Sequence, residues 1–301
     1  MKILISGSHG LVGKALGNSL VEDGHEIVRL VRKGHTLGEL EVEWHPNQGS
    51  IDAQRLEGFD AVFHLAGESI ASGRWTDEKK RAIRESRTKG TTLLSETLAR
   101  LSQPPSVFIS ASAIGYYGDR GDEELTEQSG PGKDFLASVC VEWEASTRPA
   151  AEKGIRTILA RFGIILDRNG GALAKMLTPF RMGIGGRVGD GRQWMSWIAL
   201  DDVINALKFL LLDSAVHGPV NIVAPNPVTN AEFTKTLGRV LSRPTFFPVP
   251  AFGARLAFGE LADALLLSSQ KVEPAVLKDR GFAPYWPRLE PALQHLLQDH
   301  R

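Results

Sequence analysis

Short apolar runs alternate with longer amphipathic segments along the first half of the chain. The apolar runs predict strands at residues 2–5, 26–31, 42–44, 61–65, 107–110 and 155–161. Between them, the spacing of apolar positions predicts helices at residues 12–22, 77–101 and 134–153. Strands that are apolar throughout and alternate with helices are typical of a parallel sheet covered by helices on both faces. The predicted fold class is therefore α/β, a doubly wound parallel sheet of the Rossmann type.

The pattern changes after residue 161. A glycine-rich stretch at residues 163–195 is followed by a predicted helix at 200–212 and a predicted strand at 220–223. A helix at 230–241, which Asn230 would cap, and a final helix at 291–298 come after them. We expect a sheet domain and a smaller, mostly helical substrate lobe. The sheet domain would span residues 1–165, with 200–225 rejoining the sheet; the lobe would take 166–199 and 226–301, of which 248–301 form a small C-terminal helical domain.

Composition narrows the classes of function. The 301 residues include 35 lysines and arginines and 35 aspartates and glutamates, a balance that argues against a general binder of nucleic acid or of anionic membranes. The single cysteine, Cys140, excludes an internal disulfide framework and a multi-cysteine metal site. The eight histidines are scattered, so no metal site is expected. With no signal peptide or membrane-spanning stretch recognised, we expect a cytoplasmic protein.

A glycine-rich turn directly follows the first predicted strand. It places Gly7, Gly10 and Gly13 before a predicted helix. In dinucleotide-binding folds the first glycine permits the tight turn, the second lets a diphosphate approach, and the third lets the helix pack on the strand. The candidate cofactor-binding residues at this turn are Gly7, Ser8, Gly10, Leu11, Val12 and Gly13.

Charged residues at the end of the second strand indicate which dinucleotide is bound. An NAD site usually places an acidic residue there for the ribose 2′-hydroxyl, whereas this chain has Arg32 and Lys33. Two cations would pair with a 2′-phosphate. The alternative is a solvated pair of charges; with the glycine turn upstream, we predict NADP(H).

The fourth predicted strand ends in a small-residue turn. Leu65, Ala66 and Gly67 would lie beside the cofactor, since the carboxyl ends of the strands form the binding edge. Glu68 and Arg74 follow in a loop, where they would bind cofactor near the ribose or pair with each other.

The chain resembles the extended short-chain dehydrogenase/reductase family, and more closely its atypical epimerase-family branch. The resemblance rests on the glycine turn and on the segments at residues 60–67 (DAVFHLAG), 110–118 (SASAIGYYG), 161–166 (RFGIIL), 189–203 and 218–225. It implies a seven-stranded parallel sheet of order 3-2-1-4-5-6-7 with a dinucleotide across the carboxyl ends of the strands. It also implies that Ser112 is the catalytic serine and that Gly163 and Ile164 wall the nicotinamide.

Two departures from that family put the chemistry in question. The family's Tyr-x-x-x-Lys pair corresponds to Leu136 and Cys140, which cannot perform that proton chemistry. The Arg-Asp pair with which related epimerases clasp a nucleotide phosphate corresponds to Met195 and Ser196. The glycine-rich stretch carries three cations, Arg181, Arg187 and Arg192. Either one of them replaces that phosphate clamp, or they are surface charges.

Other groups are therefore candidates for the proton chemistry. Ser112 together with Tyr116 or Tyr117 would face the substrate, and Glu68 is a further candidate acid or base. We predict an NADP(H)-binding oxidoreductase or epimerase-like enzyme acting on a small molecule. The alternatives are a non-catalytic NADP(H)-binding redox sensor or partner-binding protein, and a true sugar-nucleotide epimerase. The acidic stretch 119–127 is expected to be a solvated loop or a flap over the site.

Overall fold

The apolar runs form the strands of one central sheet in the computed structural model, which describes residues 1–32, 37–71 and 73–298. In chain order the strands are β1 (Lys2–Ser6), β2 (Glu26–Val31), β3 (Glu41–His45), β4 (Ser50–Ile51), β5 (Ala61–His64), β6 (Val107–Ala113), β7 (Glu124–Leu125), β8 (Arg156–Phe162), β9 (Ile164–Leu166), β10 (Trp194–Met195), β11 (Trp197–Ala199), β12 (Gly218–Ile222), β13 (Val228–Thr229) and β14 (Lys271–Val272). The α-helices are α1 (Leu11–Glu22), α2 (Asp77–Arg100), α3 (Phe135–Ala145), α4 (Arg148–Glu152), α5 (Gly171–Arg181), α6 (Leu200–Leu212), α7 (Asn230–Val240), α8 (Ala251–Phe258), α9 (Ala275–Asp279) and α10 (Leu289–Leu297).

The central sheet has the order β4-β3-β2-β1-β5-β6-β8-β12. Seven of these strands run parallel, and the short β4 pairs antiparallel with β3 at one edge. Without β4 the order is 3-2-1-4-5-6-7, so the predicted doubly wound fold is confirmed. The strand from the second half, β12, pairs with β8 at the opposite edge.

Alternate residues of each strand bury against different helix layers. In β1, Ile3 and Ile5 pack in a core with residues of α1 and α6, whereas Leu4 packs in a separate core with residues of α2 and α4. This period of two follows from strand geometry. Because both faces are covered, the strands are apolar throughout, as the sequence pattern indicates.

The helix predicted at 134–153 is two helices, α3 and α4. The break follows from Pro149, which has no N–H to give to the carbonyl of Ala145 and would clash with it in a continuous helix. A second difference concerns α7, whose N-cap is Thr229 rather than Asn230; Thr229 Oγ1 accepts from Glu232 N. The Asn230 side chain instead accepts from Val188 N.

Outside the central sheet, α5, α7 and α10 share a separate core with β9, β10, β11 and β13, and we call this group of elements the lobe. Three two-stranded ladders also lie outside the central sheet, β7 with β14, β9 with β11 and β10 with β13. Leu173, Trp197, Phe233 and Leu293 belong to that core. The lobe is thus helical with short strands. No helix in the described ranges is both long and apolar enough to cross a membrane.

The glycine-rich stretch packs against the segment before α8. A Cβ added at Gly186 would lie 1.7 Å from the carbonyl oxygen of Phe247. Val188 forms a parallel bridge with Val249. The glycines are therefore needed for close backbone packing within the lobe.

Candidate functional site

The glycine turn forms a tight cradle at the carboxyl end of β1. Gly7 has a φ of 69°, which favours glycine, and its carbonyl accepts from Gly10 N over 2.9 Å. A Cβ at Gly7 would lie 2.7 Å from the carbonyl of Leu65, and a Cβ at Gly13 would lie 2.3 Å from the Gly7 oxygen. Both positions therefore exclude any side chain.

Gly10 differs from the other two glycines. A Cβ there would meet only the Gly7 oxygen, at 3.2 Å, and its φ of −74° suits any residue. Gly10 is the N-cap of α1, whose first turn carries no acidic residue. Ser8, Leu11 and Val12 complete the turn. Because the N–H groups of a helix start attract anions, this cradle fits a diphosphate.

Hydrogen bonds to Ser6 fix the neighbouring strand end. Ser6 Oγ accepts from Leu65 N and Ala66 N, at 3.1 and 3.3 Å, which leaves its proton for His64 Nδ1 at 2.7 Å. His64 Nε2 then donates to Thr91 Oγ1 over 2.9 Å. Burial lowers the pKa of His64 to about 4, so the ring is neutral. His64 thus positions the backbone at Leu65 and Ala66 beside the glycine cradle.

Cations gather around Glu68 at the ends of β2 and β5. Glu68 forms an ion pair with Lys79 over 2.7 Å, and this hydrogen bond, with the charges of Lys79, Arg32 and Arg87, lowers the Glu68 pKa against the opposing effect of burial. Arg32 is exposed just after β2. Lys33 lies outside the described residues. The excess of positive charge suits a phosphate group, and Glu68 is already engaged by Lys79.

Arg74 does not lie where the sequence suggests. Its guanidinium donates to the carbonyl oxygens of Leu256 and Ala257 in α8. It is therefore neither paired with Glu68 nor free for a ribose, and it ties the loop after β5 to the C-terminal helices. An ion pair between Lys80 and Glu260 makes a second connection.

The proposed catalytic serine is held by a buried ion pair. Ser112, on the carboxyl-terminal part of β6, donates to Glu144 Oε1 over 2.7 Å. Arg161 of β8 binds both Glu144 oxygens, at 2.7 and 2.8 Å. The side chains of Arg161 and Glu144 are only 3% and 10% exposed. Burial would lower the Arg161 pKa, but the hydrogen bonds and charge of Glu144 outweigh that effect, so the pKa is raised and Arg161 stays charged.

The two adjacent tyrosines have different environments. Tyr117 is fully buried; its hydroxyl accepts from Arg161 Nη1 over 3.0 Å and donates to Asn221 Oδ1 over 2.7 Å. Burial raises the Tyr117 pKa despite the opposing effect of Arg161. We therefore do not retain Tyr117 as a residue facing the substrate. Tyr116 is partly exposed, its ring stacks 3.5 Å from Arg161 Cζ, and its hydroxyl has no hydrogen-bond partner among the described residues.

Leu136 and Cys140 of α3 lie under the turn at Gly115 and offer neither an acid nor a base. A Cβ at Gly115 would lie 3.5 Å from Leu136 Cβ and 3.9 Å from Cys140 Sγ. Cys140 is buried, and burial raises the pKa of its thiol to about 12. Neither residue supplies a proton donor at neutral pH.

Gly163 and Ile164 join β8 to the lobe. A Cβ at Gly163 would lie 2.6 Å from Val223 Cγ1 and 2.7 Å from the Ser196 oxygen, so only glycine fits. Ile164 is partly exposed and pairs with Trp197 between β9 and β11. Ser196 Oγ donates to the carbonyl of Gln270 and accepts from Val272 N, which is a structural role.

The polar loops of the lobe make mostly surface or structural contacts. Arg181, Arg187 and Arg192 are exposed, and Arg187 donates to the backbone of Asp190. Residues 119–127 are not a free flap, because β7 pairs with β14 and Glu127 accepts from Asn221 N. Within the described ranges no cluster of histidine, cysteine or acidic residues is arranged to hold a metal ion.

Sequence reasoning missed the buried ion pair of Glu144 and Arg161. A signal was present: Arg161 lies within the last two residues of β8, a strand of a sheet that is covered on both faces, where a cation needs a buried partner. That partner comes from α3, and the sequence gives no indication of which acidic residue supplies it.

Comparison with known proteins places these features in a family. Residues 3–223 match the NAD dependent epimerase/dehydratase family, and residues 249–296 match a domain of unknown function (DUF1731). The epimerase family protein of Mycobacterium bovis is 43% identical over 280 residues, covering 93% of this chain and 92% of the relative.

Two solved structures are similar over nearly all of the chain. The crystal structure of human epimerase family protein SDR39U1 (isoform 2) with NADPH has a TM-score of 0.90 at 33% identity, covering 98% of this chain and 99% of that one. A nucleoside-diphosphate sugar epimerase from Corynebacterium glutamicum has a TM-score of 0.82 at 40% identity, covering 99% of this chain and 58% of that one. From the fold, the glycine cradle and these similarities, the chain belongs to the NAD dependent epimerase/dehydratase family, as an atypical extended short-chain dehydrogenase/reductase of the epimerase-family type.

Proposed function

We propose that this protein binds NADP(H) and acts as an oxidoreductase on a small carbonyl or hydroxyl compound. The cradle supports the cofactor part, since Gly7 and Gly13 let the backbone turn close tightly and the N-cap Gly10 puts no side chain over the N–H groups at the start of α1. The similar human protein was crystallised with NADPH. When bound, this cofactor supplies the hydride chemistry.

Each part of the cofactor has candidate partners in this chain. The N–H groups of the turn from Gly7 to Gly13 would hold the diphosphate, and Arg32 with Lys33 would pair with the 2′-phosphate. The backbone of Leu65, Ala66 and Gly67 would lie beside the adenosine half. Gly163 and Ile164 would wall the nicotinamide.

The observation that carries the catalytic part is the hydrogen bond from Ser112 to Glu144 at the carboxyl end of the sheet. While the Ser112 hydroxyl donates its hydrogen bond to Glu144, Ser112 Oγ can accept a hydrogen bond from a substrate hydroxyl. Rotation of the Ser112 hydroxyl away from Glu144 lets it donate to a carbonyl oxygen instead. Glu144 and Arg161 act as positioning residues for this serine.

Tyr116 is the proposed proton donor and acceptor. Its ring is held against the Arg161 guanidinium, and its hydroxyl has no partner in the described part of the chain, so it is available to a substrate oxygen. Tyr117, on the same turn, has both hydrogen-bonding functions of its hydroxyl engaged. Small-molecule specificity would come from the lobe that faces this edge.

The test is hydride transfer from NADPH to a panel of aldehydes and ketones. Ser112→Ala and Tyr116→Phe should abolish turnover while NADPH affinity stays that of the wild type. Ser110→Ala is the matched control, because Ser110 is buried on the same strand and its hydroxyl makes only a 3.5 Å contact with a neighbouring carbonyl. Turnover that survives in both test variants would refute these roles.

A second candidate is a non-catalytic NADP(H)-binding sensor. It is favoured by α3, where Leu136 and the buried Cys140 stand in place of proton-transferring residues. It predicts tight NADPH binding without turnover on any substrate of the panel. It also predicts a protein partner that is recovered in only one oxidation state of the cofactor.

A further inference from the structure

A pocket opens between α7, the glycine-rich stretch and the segment that precedes α8. Its lining residues are Arg187, Ala231, Thr234, Lys235, Thr245, Phe246 and Pro248. None of them is assigned above to the cofactor or to the catalytic serine. Arg187 is one of the three cations that the sequence leaves either as a phosphate clamp or as surface charges.

The walls of this pocket are fixed to one another. Val249 N donates to the Arg187 carbonyl over 2.8 Å, which joins the segment before α8 to the glycine-rich stretch. The glycine-rich stretch is tied to the first residue of α7 by the hydrogen bond from Val188 N. A Cβ added at Gly238 of α7 would lie 2.4 Å from Thr245 Cγ2, so the glycine lets the helix and the segment pack closely. The pocket is therefore formed without a ligand.

Thr234 brings an unused hydroxyl to the pocket. It is only 4% exposed, and its Oγ1 has no hydrogen-bond partner among the described residues. Threonines of α2 instead donate to the carbonyl four residues earlier, Thr88 over 3.0 Å and Thr97 over 2.7 Å. Because a buried hydroxyl without a partner costs free energy, a ligand oxygen that accepts from Thr234 would offset that cost.

Two cations line the same pocket, and most of their donors are free. The ammonium of Lys235 makes no hydrogen bond or ion pair within the described ranges. Arg187 uses one of its five N–H donors, from Nη1 to the Asp190 carbonyl over 3.1 Å. By contrast, Arg239 on the same helix is paired with Glu290. The cations of the pocket are therefore available to an anion.

The charge and size of the pocket narrow the choice of anion. The lining contains two cations and no acidic residue, and Phe246, which is 84% exposed, forms an apolar wall with Pro248. A phosphate monoester carries a charge of about −2 at neutral pH, which matches two cations, whereas a carboxylate carries only one. The pocket encloses about 170 Å³. Pockets for drug-sized ligands enclose roughly 300–1,000 Å³, so this one suits a single phosphate group on a small apolar body.

We propose that this pocket binds a small phosphate monoester whose apolar body packs on Phe246. Arg187 and Lys235 bind the phosphate oxygens, and the Thr234 hydroxyl donates a further hydrogen bond to them. The site is separate from the cofactor cradle and does not depend on the binding of NADP(H). It gives Arg187 a role in binding a second ligand.

Titration with phenyl phosphate, followed by the chemical shifts of the backbone amide groups, tests the proposal. Arg187→Ala and Lys235→Ala each remove charge-assisted hydrogen bonds and should weaken binding by about 10-fold to 100-fold. Thr234→Val keeps the shape but loses the hydroxyl and should weaken binding by about 2-fold to 10-fold. Phe246→Ala should weaken phenyl phosphate but leave the affinity for inorganic phosphate unchanged.

The matched control is Arg192→Ala, because Arg192 is an exposed arginine of the same stretch that does not line the pocket. It should leave the affinity for phenyl phosphate unchanged. Thermal melting of each variant shows that the fold is kept. If Thr234→Val does not fold, the two cation variants carry the comparison.

Four outcomes would overturn the proposal. The first is the absence of saturable binding of phenyl phosphate to the wild-type protein. The second is a loss in Arg192→Ala as large as in Arg187→Ala. The third is a loss in Arg32→Ala in place of the pocket variants, which would put the phosphate at the cofactor site. The fourth is binding of benzoate as tight as that of phenyl phosphate, which would refute the choice of a phosphate group.

Discussion

The hydroxyl of Ser112 and the carboxylate of Glu144 are 2.7 Å apart, and the hydrogen bond between them joins β6 to α3. The same carboxylate is bound at both oxygens by Arg161 of β8. A buried ion pair contributes little net stability, because desolvation offsets the attraction. Its value here is geometric, since it fixes the serine at the edge of the sheet where the cofactor cradle lies.

Breaking the ion pair of Glu144 and Arg161 should lower the free energy of unfolding far more than losing a surface ion pair. Glu144→Gln leaves Arg161 buried without a counter-charge, and we expect the free energy of unfolding to fall by about 3–5 kcal/mol. Urea denaturation measures this. The control is Glu142→Gln, on the same helix and 45% exposed beside Arg84, which should cost about 1 kcal/mol or less. Equal losses in the two variants would show that the pair is not buried as described.

Loss of the hydroxyl should lower the unfolding free energy much more at Tyr117 than at Tyr116. Tyr117→Phe removes a partner from Asn221 and Arg161 and should lower the unfolding free energy by about 1–3 kcal/mol. Tyr116→Phe should change it by about 0.5 kcal/mol or less, since that hydroxyl has no partner in the described chain. Denaturation of the two variants side by side checks this, and a larger loss in Tyr116→Phe would contradict it.

Substitutions at two glycines of the cradle should separate the loss of cofactor binding from the loss of folding. In Gly10→Val the new Cβ would meet only the Gly7 oxygen, at 3.2 Å. The variant should therefore fold but lose NADPH binding. Gly13→Val would place a Cβ 2.3 Å from the same oxygen and should destabilise the fold itself. Thermal melting and NADPH titration of both variants test this. NADPH affinity retained in Gly10→Val would remove the cradle from the cofactor site.

The cations after β2 should determine the preference for NADPH over NADH. Replacing both, in Arg32→Asp with Lys33→Ala, removes the proposed partners of the 2′-phosphate, and NADPH affinity should fall by about 10-fold to 100-fold. NADH affinity should not fall. Titration with the two cofactors measures the ratio, and an equal weakening of both would refute 2′-phosphate recognition.

His64 makes stability depend on pH. Burial lowers its pKa from 6.5 to about 4 in the folded protein. Between these values the unfolded chain binds a proton that the folded chain does not, so stability falls as the pH drops from 6.5 toward 4. Below both pKa values, His64 should have lowered the free energy of unfolding by about 3 kcal/mol in total.

The measurement is the unfolding free energy of wild type and His64→Gln across this range. The variant should be less stable at neutral pH, and the difference between the two should shrink as the pH falls. A difference that stays constant with pH would show that His64 does not titrate as described.

Much of the fold could be predicted from the sequence because local patterns determine it. Strands such as β1 and β5 are short, apolar and followed by small residues, so their number and order follow from the pattern and the resemblance. The end of β6 could not be placed, because Ser110 and Ser112 resemble the end of a strand, whereas pairing with β8 continues to Ala113. The split between α3 and α4 depends on Pro149, which a helical period alone does not reveal.

The site was only partly predictable for a different reason. The glycine cradle is a local feature with known spacing, and the sequence places it directly. The contacts of Arg74 and Glu144 join segments far apart in the chain, and each of these side chains could have been a surface charge. Such pairings depend on packing between elements, which hydrophobic periodicity does not describe.

Titration of the purified protein with NADPH and with NADH tests the central claim most directly. Energy transfer from tryptophan to the reduced nicotinamide reports binding, and a thermal shift reports stabilisation. We predict saturable binding of NADPH, weaker binding of NADH, and loss of both in Gly10→Val. Binding of neither dinucleotide to the wild-type protein would contradict the account and leave the glycine cradle as a structural turn alone.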